Sequence, residues 1–478
     1  MKKKIALFLS VLMIIASFSG VTAKSNGITV VFNNEVIAFD QQPEIHNGTT
    51  MVPIRMVSEK MGGVVDWDSA AQEVEIRIDE LVINLKIGST TAMVNGEDRT
   101  LLTAPYIKNG RTMVPVRFIS ENMGADVSWT QETQTVNISF DGIILNKITK
   151  DYPIIVIPGT LGTLPLDQFE LLTEIAKQST ADSFTKVVLS VMVPLFETGM
   201  EKITQARLGS NKYYLTNVDG EEYYVDPFID TYVPLFEYFE DNGLVYDESY
   251  FIFGYDSLGN PIEDSSDELG DYIEYVLKKT GAEKVTLIGH SQGSLIARDY
   301  IQDDDNSKNV NIFMSVGGPF KGSMEAYKLT TGSAFGSMSR YDIMATMFSY
   351  IRYGNTEKES KIKFVEEYIN AVFDMNPIYD KCFDDVENEF LEELNSKSAT
   401  KKLSKLGAEN VINIIGIGTS TDNTYGADGI IKTMEGDGTV VAKSAELGDG
   451  FKNVKFKGYG HAEFFMTDSR IYDYFDFD

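Results

Sequence analysis

Residues 285–300 read VTLIGHSQGSLIARDY. Val285-Thr286-Leu287-Ile288 is an apolar run of strand length, and Ser294 to Tyr300 continues with a helical pattern. Only Gly289-His290-Ser291-Gln292-Gly293 separates them, which leaves room for a tight turn and nothing more. A buried strand delivered through a sharp turn into a helix restricts the fold more than any other segment here. It belongs to an α/β sheet covered on both faces. Glycines two before and two after Ser291 let neighbouring backbones approach closely, and the strained turn holds the hydroxyl clear of the sheet. A helix starting at the serine also aims backbone N–H groups at negative charge developing nearby.

A serine hydroxyl is a weak nucleophile without a base. The chain has three histidines. His46 lies in a separate repeat region, and His290 adjoins the serine, so its ring is expected to point away from the hydroxyl and to pack. His461 remains as the base; it follows the strand-like Val454-Lys455-Phe456 near the C-terminus. The orienting acid of such a fold lies between serine and histidine in chain order. Asp437, in EGDGTVV at 435–441, is the expected acid, and Asp428, with a glycine on one side only, is the alternative. An oxyanion hole would combine the N–H of Gln292, just after the serine, with one from the loop after an early strand. Ile154-Ile155-Val156-Ile157 is that strand, and Thr160, after Pro158-Gly159, is the expected second donor.

Other segments agree with a sheet covered by helices. Ser249 to Phe253 reads as a strand running into Gly254-Tyr255-Asp256. A helix follows, with Ser265 or Ser266 as cap, Asp267 and Glu268 at its positive end, and Leu269, Tyr272, Ile273, Val276 and Leu277 on one apolar face. Lys278 and Lys279 suit its negative end and Gly281 stops it. Residues 324–410 read as an insertion far longer than an ordinary loop. In it Ile343, Met344, Met347, Phe348 and Ile351 can share a helix face that Gly354 ends. That face is either part of the core or a lid and acyl-chain groove over the serine.

The first third of the chain has a different texture. GTTMVPIRMVSEKMGGVVDWDSAAQEVEIRI at 48–78 and GRTMVPVRFISENMGADVSWTQETQTVNISF at 110–140 align at a constant offset of 62 residues. Self-similarity of this length marks two copies of one structural unit. Pro53 and Pro115 open a helix in each copy, Gly62 and Gly124 close it, and Val74–Ile78 and Val136–Phe140 alternate as strands. Trp67 and Trp129 occupy equivalent positions and are expected to be core anchors.

MKKKIALFLSVLMIIASFSGVTA at the start has the layout of a secretory signal peptide ending at Ala23. The formal net charge of −29 argues against nucleic acid as a partner. Asp303-Asp304-Asp305 reads as a solvated acidic loop rather than a calcium site. Cys382 is the single cysteine, so no intrachain disulfide forms. An exported chain without disulfides fits a Gram-positive bacterial route.

Two resemblances follow from these residues. The paired G-x-T-M-V-P-x-R segments resemble the copper amine oxidase N-terminal-like, or stalk, domain over about 28–140. Copper is not expected with it, because this region offers one histidine, His46, and no cysteine as soft ligands. PGTLGT at 158–163, FGYDS at 253–257, GHSQG at 289–293, VGGPFKGS at 316–323, EGDGTV at 435–440 and Gly460-His461 are similar to α/β-hydrolase lipases of the lecithin:cholesterol acyltransferase-like branch. Those relatives usually continue the Tyr-Asp pair into Trp-Arg, whereas Ser257-Leu258 stand here. The expected organisation is a signal peptide at 1–23, a small α+β two-repeat stalk domain at 24–145, and an α/β-hydrolase domain at 150–478 with the insertion at about 324–410. The expected activity is that of a secreted serine hydrolase of carboxylic esters, lipids above all, with Ser291, Asp437 and His461 as triad and no cofactor or metal. The stalk would serve surface or cell-wall association. Two alternatives remain open: acyl transfer to an alcohol, and a catalytically silent surface-binding protein.

Overall fold

The computed structural model describes residues 27–477 except 79–80, 141, 166–213, 219, 226–230, 304–305, 333–348, 350–352, 354, 356, 380–387, 426–430, 449 and 468. The signal-peptide residues, Cys382, Asp428, Asp304-Asp305 and the Ile343–Gly354 helix pattern lie outside the described residues. Two compact units divide between Gly142 and Ile143.

In the first unit each repeat folds as hairpin, helix, hairpin. Thr49–Pro53 leads into helix Ile54–Lys60, and Arg111–Pro115 leads into Val116–Asn122. The prolines stand at the N-caps, where a missing N–H costs nothing. Gly62 and Gly124 follow the helices with φ of 82° and 90°. The two copies pair antiparallel with Val52 opposite Val114. Since 62 residues separate equivalent positions, each valine faces its own counterpart, and the repeat closes on a local two-fold. Met51, Val52, Met113 and Val114 are fully buried there. The tryptophans are not core anchors. Trp67 is 39% exposed, and Trp129 is half-buried with its Nε1–H donating to Gln131 Oε1 at 2.9 Å. Val65 is buried while Trp67, one pleat further along the same face, is not, so burial ends within a single strand.

The second unit is built on a six-stranded sheet. Its strands are β1 (Ile154–Ile157), β2 (Tyr250–Ile252), β3 (Val285–His290), β4 (Val310–Val316), β5 (Val411–Ile417) and β6 (Asn453–Lys457). Their order is β2-β1-β3-β4-β5-β6 and every pairing is parallel. Period-two alternation divides the strands between two cores. Ile155 and Ile157 join one apolar cluster with Leu287 and Phe313, while Ile154 and Val156 join another with Ile288, Ile312 and Met314. Both faces are therefore covered, which is why the strands read as unbroken apolar runs.

Helices α1 (Val233–Asp241), α2 (Ile262–Thr280) and α3 (Gln292–Gln302) flank the sheet. α2 starts three residues before the expected Ser265. Pro261 precedes it, Glu263 and Asp264 lie in its first turn, and Ser265 and Ser266 are buried within it. The Asp374 carboxylate takes the Ile262 N–H at 2.8 Å and so supplies the missing cap from another segment. Gly281 ends α2 in the left-handed conformation, as expected.

The described part of the 324–410 segment is woven into the domain. Phe364, Val365, Ile369, Val372, Met375, Leu391, Leu394 and Leu403 join the same cluster as β1, α2 and α3. Arg298 of α3 fastens it further. Its guanidinium lies 4.8 Å from the centre of the Phe320 ring, donates to Leu394 O at 2.8 Å and to Asn395 Oδ1 at 3.2 Å. Burial lowers its pKa to about 9.

Candidate active site

β3 ends at His290, Ser291 takes φ 52° and ψ −123°, and α3 begins at Gln292. A positive φ at a non-glycine residue costs about 1–3 kcal/mol and persists only where the surroundings enforce it. Here the Ser291 N–H donates to Val316 O at 2.8 Å, which ties the turn to the end of β4. A β-carbon on Gly289 would lie 2.6 Å from Gly293 O, and one on Gly159 would lie 2.7 Å from Ser291 Cβ. The glycines around the serine are steric requirements of the turn.

His461 stands in the loop after β6, and Asp437 follows the hairpin Thr419–Tyr425/Ile431–Gly436. His461 Nε2 lies 2.8 Å from Ser291 Oγ, and its Nδ1 lies 2.8 Å from Asp437 Oδ2. With the carboxylate ionised, Nδ1–H donates to Asp437 and the Nε2 lone pair faces the serine hydroxyl. Asp437 is almost fully buried. Burial pushes its carboxyl up, but the His461 imidazole and the Val440 and Thr439 N–H groups on Oδ1 outweigh this and hold it below the usual carboxylate range. The space around the pair is closed by glycines. A β-carbon on Gly416 would lie 2.4 Å from Asp437 Cβ.

The loop 158–162 packs beside the serine. The Thr160 Oγ1–H donates to Gln292 Oε1 at 2.7 Å, and Leu161 N–H donates to Ser257 Oγ at 3.1 Å. Among the described residues, no hydrogen bond takes the backbone N–H of Thr160 or of Gln292. Ser257 also donates to Thr163 O at 2.5 Å, so the residue that departs from the relatives' pattern holds this loop.

Ser291, Asp437 and His461 thus meet, with Thr160 and Gln292 beside them. His290 is buried, as expected. However, it bonds Tyr232 Oη through Nδ1 and His461 O through Nε2, each at 2.8 Å. Burial drives its pKa down to about 3. Nothing along the sequence signals Tyr232, which lies 58 residues upstream of His290.

Residues 213–365 match the family model "Lecithin:cholesterol acyltransferase". Residues 31–138 match "Copper amine oxidase N-terminal domain". The donor set in that unit does not fit copper: His46, its one imidazole, lies against the Tyr106 ring in a tilted pair with centres 5.0 Å apart, and Glu44 is engaged by Tyr106 and Lys108. No group of three potential metal-ligating side chains occurs among the described residues. A protease inhibitor of Brevibacillus choshinensis is 32% identical over 88 residues, 18% of this chain and 27% of its own length. The chain thus spans about a quarter of that relative. Among solved structures, the propeptide form of the Bacillus licheniformis lipase BlEst2 is 12% identical, with 68% of this chain and 49% of that one covered at a TM-score of 0.33. Its mature form is 13% identical, with 69% and 91% covered at 0.31. A Listeria innocua gene product is 14% identical, with 66% and 90% covered at 0.28. The second unit has the parallel sheet and the strand–serine–helix turn of the α/β-hydrolase fold. No helix among the described residues is long and apolar enough to cross a membrane.

Proposed function

We propose that this chain is an exported serine hydrolase that cleaves carboxylic esters, with lipid-like esters as its substrate class. The observation that carries the reading is the line from Asp437 Oδ2 through His461 to Ser291 Oγ, with 2.8 Å at each junction. Ser291 Oγ attacks the ester carbonyl while its proton passes to His461 Nε2. Asp437 holds the tautomer and stabilises the imidazolium. The N–H groups of Thr160 and Gln292 receive the developing oxyanion, a class of contact typically worth about 3–4 kcal/mol per donor. His461 returns the proton to the leaving alcohol, and water then resolves the acyl-enzyme by the same route in reverse.

Acyl transfer to an alcohol instead of water is the second reading, favoured by the family matched at 213–365. Lysines followed by an apolar run at residues 2–15 support export, and the repeat unit fits a surface-association module. The test uses nitrophenyl esters of graded chain length and a fluorophosphonate probe, on wild type and Ser291→Ala. Turnover and labelling that both vanish in the variant sustain the reading, and a rate rising with chain length sustains the lipid-like substrate. A folded wild type that neither turns over nor labels refutes it and leaves the silent surface protein. Alcohol acceptors that divert the acyl group at millimolar concentration would select transfer over hydrolysis.

A further inference from the structure

Two buried side chains outside the proposed triad form an unbroken chain of hydrogen bonds across the site. Gly159 N–H donates to Tyr232 Oη at 2.8 Å. Tyr232 Oη lies 2.8 Å from His290 Nδ1, and His290 Nε2 lies 2.8 Å from the carbonyl oxygen of His461. The proton positions follow from the partners. A carbonyl oxygen only accepts, so Nε2 must carry the hydrogen. The neutral ring then has a lone pair at Nδ1, which takes the tyrosine hydrogen, and the tyrosine oxygen is left to accept from Gly159. The other neutral tautomer would set two acceptors, His290 Nε2 and the His461 carbonyl oxygen, facing each other in a buried place. The low pKa of His290 agrees with this single neutral tautomer.

The two ends of this relay hold two parts of the site that lie in loops outside the sheet. His461 sits after β6 in a loop opened by Gly458 at φ 86°. Its N–H donates to Asp437 O at 3.0 Å, and its carbonyl is gripped by His290. Both backbone groups of the proposed base are thereby fixed. Gly159, at the other end, precedes Thr160 in the loop that packs on the serine. Phe465 locks the relay from the side, with its ring 5.7 Å from Tyr232 and 5.6 Å from His290. We infer that Tyr232 and His290 are positioning residues, which hold the base His461 and the oxyanion loop 158–162 in one register through a directed relay from Gly159 N–H to His461 O.

This rests on the serine-hydrolase reading, and the experiment keeps the two apart. Tyr232→Phe removes one oxygen, His290→Phe keeps a ring without nitrogens, and His290→Gln restores an amide donor toward His461 O. The full chain of each is assayed for kcat and KM on a butyrate nitrophenyl ester and titrated with a fluorophosphonate probe. The expected result is a fall in kcat of at least tenfold for Tyr232→Phe and His290→Phe with KM within twofold. Every folded molecule should still label, but more slowly, and His290→Gln should recover part of kcat. A merely structural role would instead lower the labelled fraction and leave the rate of the remaining molecules at the wild-type value, which would overturn the inference. So would a folded Tyr232→Phe with kcat within twofold of wild type. Should His290→Phe not fold, Tyr232→Phe decides alone. A wild type that neither labels nor turns over refutes the serine-hydrolase reading itself, and the inference falls with it.

Discussion

A β-carbon on Gly293 would lie 2.1 Å from the carbonyl oxygen of Ile157. Helix α3 therefore meets the end of strand β1 backbone against backbone, and this contact sets where the turn presents Ser291. The obstacles are main-chain atoms of Ile157 and Pro158, which cannot swing aside as a side chain would. Gly293→Ala should cost more than about 4 kcal/mol and yield insoluble or unfolded second unit. Thermal melting by circular dichroism checks this; a variant that melts with wild type would show that the sheet and helix can separate freely.

Asp437→Asn tests the tautomer. Oδ1 of the new amide can still accept from Thr439 and Val440, so the loop is retained. The amide nitrogen would then face His461 Nδ1 and force that atom to accept, which leaves the hydrogen on Nε2, pointed at Ser291. The expected outcome is a loss in kcat on the order of 10³–10⁴-fold with little change in melting temperature. Activity within tenfold of wild type would remove Asp437 from the site.

Asp299, in α3, is mostly buried, and burial raises its carboxyl to about 6, with the Ser266 hydrogen bond opposing and the charges of Glu263, Asp303 and Asp267 adding. A carboxyl raised on folding binds its proton more tightly in the native state, so its stabilisation is full below pH 3.8 and is lost as pH rises through about 6. At neutral pH the native state therefore carries an unfavourable charge. Asp299→Asn should stabilise the protein by on the order of 1–3 kcal/mol at pH 7.5 and by little at pH 4. Denaturant melts at the two pH values measure the difference, and equal effects at both would contradict it.

Lys328 lies buried between Glu325 at 2.7 Å and Asp422. The pair joins helix Met324–Thr330 to the hairpin that precedes Asp437. Burial lowers the Lys328 pKa, but its two carboxylate partners outweigh this and hold it above the usual value. Asp422→Ala leaves the ammonium with one partner and should destabilise by about 1–3 kcal/mol. The partners are partly exposed, so the figure sits at the low end for a buried pair. Replacing Lys328 and Asp422 together with Met and Ala should recover much of the loss, as chemical denaturation of the single and double variants would show.

Much of this protein is written in local chemistry along the chain. The strand–turn–helix at 285–300, the glycines about Ser291, the end of α2 at Gly281 and the paired repeat at offset 62 follow from periodicity and from steric rules that act over a few residues. The choice of His461 followed from three imidazoles and their places along the chain. Tertiary structure alone decided what depends on loops meeting. Asp437 reaches His461 because a hairpin and the loop after β6 end side by side. Trp67 is exposed because burial stops partway along its strand, and α2 begins at Ile262 because Asp374, 112 residues away, caps it. The relay from Gly159 through Tyr232 and His290 joins residues up to 171 positions apart. Hydrophobic pattern and backbone sterics are properties of neighbouring residues, whereas a hydrogen bond between distant side chains exists only once the sheet has fixed where every loop ends.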